Sequence, residues 1–175
     1  LARRQQQSKL QNKSSNDFNR FRVYKMNSQQ NIIILPFQPK YQSEAKNLVL
    51  AGLEEHWGTL DPTKNPDLDD IGSSYSKGLF LVALHKNKII GTGAIIPKSN
   101  NTAEIVRMSV AANMRRNGIG KLILNKLCEY AKSNGYKHII LETTETWHEV
   151  IEFYKKLGFQ ITHYLDGDVY FALDL

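Results

Sequence analysis

At 175 residues the sequence is long enough to bury one substantial core, and nothing in it calls for a second. Apolar residues make up 41% and charged residues 23%, ordinary for a soluble globular chain, and no apolar run approaches the roughly 18 residues a membrane span needs. The single cysteine, Cys128, excludes an intrachain disulfide, and with no signal-peptide apolar region the expected compartment is the cytoplasm.

The formal charge of +6 would suggest nucleic acid if it were spread over a fold. Instead residues 1–30 hold Arg3, Arg4, Lys9, Lys13, Arg20, Arg22 and Lys25 against Asp17 alone, and the charges of 31–175 cancel. Nucleic acid is therefore not the expected partner. This Gln-, Asn- and Ser-rich stretch has only Phe18, Phe21, Val23 and Tyr24 as apolar anchors. It cannot offset its ordering entropy, so a flexible polar extension over 1–30, mostly disordered to about residue 25, is expected before a single domain over 31–175. The sequence opens on Leu1 while Met26 precedes the first apolar strand, so an upstream extension, an added remnant and a functional basic arm all stay open.

Ile32 to Leu35, ended by Pro36, is a short first strand. Tyr41, Ala45, Leu48, Val49, Gly52, Leu53 and His56 recur at helical spacing and predict an amphipathic helix stopping near Gly58. Asn65-Pro66 has the form of an N-cap with proline at the first helical position, predicting a second helix to about Tyr75. Leu79–His85, Lys88–Ile96 and Ala103–Val110 are strands joined by tight turns, which suggests an antiparallel meander. A strong helix follows over Ile119–Ser133, closed by Gly135, then a strand over His138–Glu142. Thr146-Trp147-His148-Glu149 has capping-box form and opens a helix ending at Gly158. Phe159–Leu165 and Val169–Leu173 flank the hairpin turn Asp166-Gly167. The order is β-α-α-β-β-β-α-β-α-β-β, and strand-helix-strand in its middle requires a parallel pair. The fold class is thus α/β, with a mixed central sheet of six to seven strands and four helices.

Arg115-Arg116-Asn117-Gly118-Ile119-Gly120-Lys121 lies between a strand and a helix start. The first N–H groups of a helix lack intrahelical partners and carry partial positive charge. Two glycines clear side chains from that backbone and three cations surround it, which suits a pyrophosphate. A P-loop would need glycine at Arg115 and Ser or Thr at Leu122, and a dinucleotide fingerprint would need glycine at Ile123, so neither motif fits. Taken alone, the Gly-x-Gly also suits a plain glycine turn with solvated arginines.

The motif Arg115-x-x-Gly118-x-Gly120 resembles the Arg/Gln-x-x-Gly-x-Gly/Ala signature of the GNAT acetyltransferase superfamily. Strand Glu104-Ile-Val-Arg-Met-Ser-Val110 and helix Glu152-Phe-Tyr-Lys-Lys-Leu-Gly-Phe159 are similar to that family's flanking elements, and the likeness spans about 31–175. The resemblance implies a GNAT fold and an N-acetyltransferase that uses acetyl-CoA, without a metal. It implies that the backbone of Met108, Ser109 and Val110 binds the acetyl and pantetheine groups, and that Arg115, Arg116, Asn117, Gly118, Ile119, Gly120 and Lys121 cradle the pyrophosphate. It further implies Tyr154 as acid to the leaving thiolate, the Met108 N–H as oxyanion donor, and Glu104 as general base, with Glu142 second. The expected partner is a small-molecule or peptide amine, attacking directly in a ternary complex by a monomer or homodimer, with no membrane involved. A non-catalytic acyl-CoA-sensing domain of the same fold is the alternative.

Glu54, Glu55, Asp61, Asp67, Asp69 and Asp70 crowd the stretch where this superfamily borders its acceptor pocket, so a cationic amine is one expectation, with Trp57 and Tyr75 packing its apolar part; solvated helix ends and capping acids are the other. His56, His85, His138, His148 and His163 have no metal-ligand spacing. Cys128, among Leu124, Leu127 and Ala131, reads as a packed thiol.

Overall fold

The computed structural model describes residues 22–27, 30–61 and 63–175. Among the described residues eight strands form one mixed sheet in the order β1-β2-β3-β4-β5-β6-β8-β7. They are β1 (Arg22–Asn27), β2 (Gln30–Pro36), β3 (Leu79–His85), β4 (Lys88–Pro97), β5 (Thr102–Val110), β6 (His138–Thr144), β7 (Gln160–Leu165) and β8 (Asp168–Asp174). The helices are α1 (Gln42–Trp57), α2 (Ile71–Ser74), α3 (Ile119–Ser133) and α4 (His148–Lys156). No helix among the described residues is long and apolar enough to cross a membrane.

Neighbours are antiparallel except β5 and β6, the parallel pair that the β-α-β order requires. Seven strands match those read from the sequence. The eighth, β1, lies inside the stretch expected to be flexible and pairs antiparallel with β2 from Arg22–Ile34 onward. The expectation for residues 1–21 falls outside the described residues.

Alternation along the strands sends side chains into two cores. On one face α3 and α4 pack through Ile119, Ile123, Leu124, Leu127 and Ile151 against Ile95, Ile105, Ile139, Leu141 and Phe171. Each such fully buried side chain contributes about 2 kcal/mol, so α3 is held firmly along its length. On the other face α1, α2 and the turn before α2 use Ala45, Val49, Leu68 and Ile71 against Leu35, Phe80, Val82 and Ala94. Gly93 lets α3 approach: a Cβ there would lie 2.6 Å from both Ile123 Cγ2 and Met108 Sδ.

Two local expectations are corrected. The segment after Asn65 is not one helix but a 3-10 turn, Pro66–Leu68, followed by α2, whose cap is Asp70 accepting from Ser73 N–H. Thr146 does not cap α4; Trp147 stands at that position and makes no side-chain cap.

β5 carries one irregularity. Ala94 faces Val106 and Thr92 faces Ser109, so β5 spends one residue more than β4 between them, a β-bulge. Arg107 sits in it at φ 55, a left-handed conformation that costs a non-glycine residue about 1–2 kcal/mol.

Candidate active site

The site begins where β5 and β6 stop pairing. They are neighbours over Thr102–His138, Ala103–Ile139 and Glu104–Ile140 only. Beyond that point β6 runs on against β8, and β5 against β4 to Gly91–Val110, so the two strands diverge and leave an opening. Ala111 N–H donates to Ile90 O at 3.0 Å on the β4 side. Alternation therefore turns Ser109 toward β4 and the peptide groups of Met108 and Val110 toward the opening.

Glu104 is the last paired residue before the split. Ala103 and Ile105 belong to the α3/α4 core, so Glu104 faces the other side of the sheet. There it is 14% exposed, with Lys98 Nζ 3.0 Å from its Oε2. Glu142 lies on the same face of β6, exposed, and its negative charge raises the pKa of the neighbouring Tyr170 hydroxyl. Tyr154 approaches from the α4 side, packed edge-on to Phe153 and Phe159 and tilted against Phe171. Burial pushes its phenol well above the ordinary value. Its hydroxyl makes no hydrogen bond among the described residues.

At the open end of the split stands the α3 N-terminus. Arg116 (φ 63) and Gly118 (φ 74) take left-handed conformations that bend the loop, and Asn117 Nδ2 braces it by donating to the Met114 and Arg115 carbonyls. The first intrahelical acceptor is the Gly118 carbonyl, which takes the Leu122 N–H at 3.0 Å. The amides of Gly118, Ile119, Gly120 and Lys121 find no acceptor among the described residues. They form the donor set an anion needs. A Cβ on Gly120 would only touch Phe153 and Val110, at 3.4 to 3.8 Å. Of the three cations, Lys121 is exposed. Arg115 donates in bidentate fashion to Glu55 of α1 (2.9 and 2.6 Å) and through Nε to the Val110 carbonyl, and exposed Arg116 pairs with Glu149 at 3.0 Å. Near these pairs the His56 ring stacks on Trp147 at 4.3 Å, with Thr146 Oγ1 3.3 Å from His56 Nε2, which ties the end of α1 to the start of α4.

The sequence profile of the acetyltransferase (GNAT) family matches residues 43–159, a range that holds the split, the α3 N-terminus and Tyr154. The chain belongs to the GNAT acetyltransferase family. A GNAT-family acetyltransferase of Staphylococcus aureus Mu50 has the same fold, at a TM-score of 0.76 and 25% identity over 82% of this chain and 99% of that one. The fold likeness extends to the paia N-acetyltransferase of Thermoplasma acidophilum in complex with coenzyme A, at a TM-score of 0.73, 20% identity, and 82% and 99% coverage. Probable N-acetyltransferase 14 of Xenopus tropicalis is 32% identical over 103 residues, which is 57% of this chain and 50% of that protein. The chain spans about half the length, or less, of the curated relatives it matches.

For this GNAT chain three of the six acids in the 54–70 stretch are paired with cations, Asp61 and Asp70 accept from neutral donors, and Glu54 is exposed. Glu55 is taken by Arg115, Asp61 by Thr63, Asp67 by Arg107 and Tyr75, Asp69 by Lys46, and Asp70 by the α2 cap. Tyr75 is a core residue, 8% exposed, rather than part of a pocket wall, while Trp57 stands 54% exposed. Glu55, Asp67 and Asp69 therefore serve as ion-pair partners within the fold, and Asp70 as a helix cap, as the second of the two expectations had it. Sequence reasoning missed Arg107 altogether. Its signal was present: the apolar positions facing α3 change from odd (Ala103, Ile105) to even (Met108, Val110), which requires an extra residue between them.

Proposed function

We propose that this chain transfers an acetyl group from acetyl-CoA to a primary amine, by direct attack with both substrates bound. The observation that carries this reading is the split between β5 and β6, with acceptor-less amides at its open end and Glu104 at its apex. The α3 amides with Lys121 would hold the diphosphate, joined by Arg116 when it leaves Glu149; the peptide groups of Met108 and Val110 would pair with the amide-bearing arm as an added strand. Acetyl-CoA brings an acyl group already activated as a thioester.

A lysine-like amine has a pKa near 10.4, so close to neutral pH only about one molecule in a thousand is the neutral nucleophile. Glu104 lies on the sheet face opposite Tyr154, so the amine approaches from the α1/α2 side, where the carboxylate takes a proton directly or through water. The departing N–H becomes strongly acidic as nitrogen bonds to carbon, which makes that transfer favourable. The Met108 N–H donates to the developing oxyanion. Tyr154 is fully protonated at neutral pH. A simple thiol has a pKa of about 8.5, so complete proton transfer from a phenol raised above 10 is uphill by more than about 2 kcal/mol. Tyr154 therefore serves as a hydrogen-bond donor to the sulfur, with the proton delivered late.

The test is acetyl-CoA binding by calorimetry, with thiol release measured on amino acids, polyamines, aminoglycosides and lysine peptides. One amine class should release thiol, and Glu104→Gln should lower kcat/KM by about a hundredfold or more. Binding without turnover on any amine assigns the chain to acyl-CoA sensing. Absence of binding removes the reading.

A further inference from the structure

Arg107 is held in its bulge through both its backbone and its side chain. Thr92, fully buried, donates its hydroxyl to the Arg107 carbonyl at 2.9 Å. From its side chain Nε and Nη2 reach the two oxygens of Asp67 at 2.9 and 2.5 Å, and Nη1 donates to Asn65 Oδ1 at 2.9 Å. The Tyr75 hydroxyl donates to Asp67 at 2.5 Å. Burial alone would raise the Asp67 carboxyl, but the hydrogen bonds from Arg107 and Tyr75 outweigh it and hold the group below its ordinary range. All three partners belong to the 65–75 segment, which packs through Leu68, Ile71 and Tyr75 into the α1/α2 core.

The bulge decides which amides face the opening. Side chains and peptide groups alternate with a period of two, so removing the extra residue would exchange the directions of Met108 and Ser109. We propose that Asp67, Arg107 and Tyr75 are positioning residues for acyl transfer: they clamp the bulge so that the Met108 N–H points at the reacting carbonyl. The inference rests on the acetyltransferase reading. The effect of the cluster falls more on chemistry than on cofactor binding, because it touches β5 and the 65–75 segment, while the α3 amides that would hold the diphosphate lie outside it.

The experiment compares wild type with Asp67→Asn, Arg107→Lys and Tyr75→Phe, using acetyl-CoA and the best amine of the panel. Loss of an oxyanion donor lowers kcat by about 10²–10³, so Asp67→Asn should approach about a hundredfold loss and Tyr75→Phe about tenfold. Arg107→Lys keeps the charge but not the planar fork, and should resemble Asp67→Asn. The acetyl-CoA dissociation constant should change by far less than kcat, within about threefold, because the α3 amides and Lys121 stay intact and only one backbone contact to the arm shifts. Tyr75→Phe removes a single hydrogen bond and carries the test alone if the charge variants do not fold. A kcat for Tyr75→Phe within twofold of wild type overturns the proposal, and so does a parallel loss of acetyl-CoA affinity and kcat, which would mark the cluster as scaffold. Wild type that releases thiol with no amine refutes the acetyltransferase reading itself, and the positioning role falls with it.

Discussion

Gly120→Asp should move fold stability and ligand affinity in opposite directions. A Cβ at 120 would lie 3.4 Å from Phe153 Cζ and 3.8 Å from Val110 Cγ2, ordinary contact, so the side chain enters without displacing the core. The first turn of α3 contains no acid, and an aspartate there complements the helix dipole by about 0.3–1 kcal/mol. Replacing a helical glycine adds some tenths more, so the melting temperature should rise by about 2 °C or hold. The same carboxylate would stand beside any anion bound by the α3 amides. At about 5 Å and an effective dielectric of about 20, one like-charge pair costs roughly 3 kcal/mol, more than a hundredfold in affinity. Calorimetry with acetyl-CoA and thermal unfolding read the two effects on one preparation, with Gly120→Asn as the uncharged control. An affinity loss under tenfold at unchanged melting temperature would refute the anion site at α3. A fall of more than about 5 °C would refute the packing argument instead.

Three further outcomes follow from buried contacts. Gly93→Ala forces a methyl to within 2.6 Å of Ile123 and Met108, and overpacking of about 1–3 kcal/mol should lower the melting temperature by several degrees in thermal unfolding. Asp67→Asn leaves the part-buried Arg107 charge unpaired and should cost about 3 kcal/mol in urea unfolding at neutral pH. Because the Asp67 carboxyl is held below its ordinary range, that contribution is complete above about pH 4 and is lost as pH falls through the folded value. The gap between variant and wild type should therefore be constant from pH 8 to pH 5 and close in stronger acid; a gap that widens on acidification would contradict the pairing. Burial pushes the Cys128 thiol up to about 11. Its reaction with a disulfide reagent at pH 8 should be slower by more than about a hundredfold in the folded protein than in urea, and equal rates would show the helix face to be open.

Elements set by their own periodicity were readable from the chain. α3 spans Ile119–Ser133, the limits its apolar spacing and Gly135 indicate, and the Lys86-Asn87 and Asp166-Gly167 turns both have the positive φ pair that suits a tight hairpin. Elements whose local signals are captured by distant partners were not readable. Asn65 has a capping residue's chemistry, yet its side chain accepts from Arg107, and Thr146 turns to His56 instead of capping α4. The acids of 54–70 suggested a cation site because charge is visible in sequence while pairing is not; Arg115, Arg107 and Lys46 engage Glu55, Asp67 and Asp69 from other elements. The loop before α3 was legible as a donor array, but the engagement of Arg115 with Glu55 is a tertiary contact across 60 positions.

The three residue pairs that join β5 to β6 make the sheet mechanically two plates, β1–β5 and β6–β8, sharing a narrow seam. Such a seam has few interstrand bonds to break, so amide exchange should resolve two cooperative units whose opening free energies differ. A ligand strand laid in the split would stitch the plates along their whole edge. Its signature would be a merging of the two exchange rates, a rigidity conferred on residues that the ligand never touches.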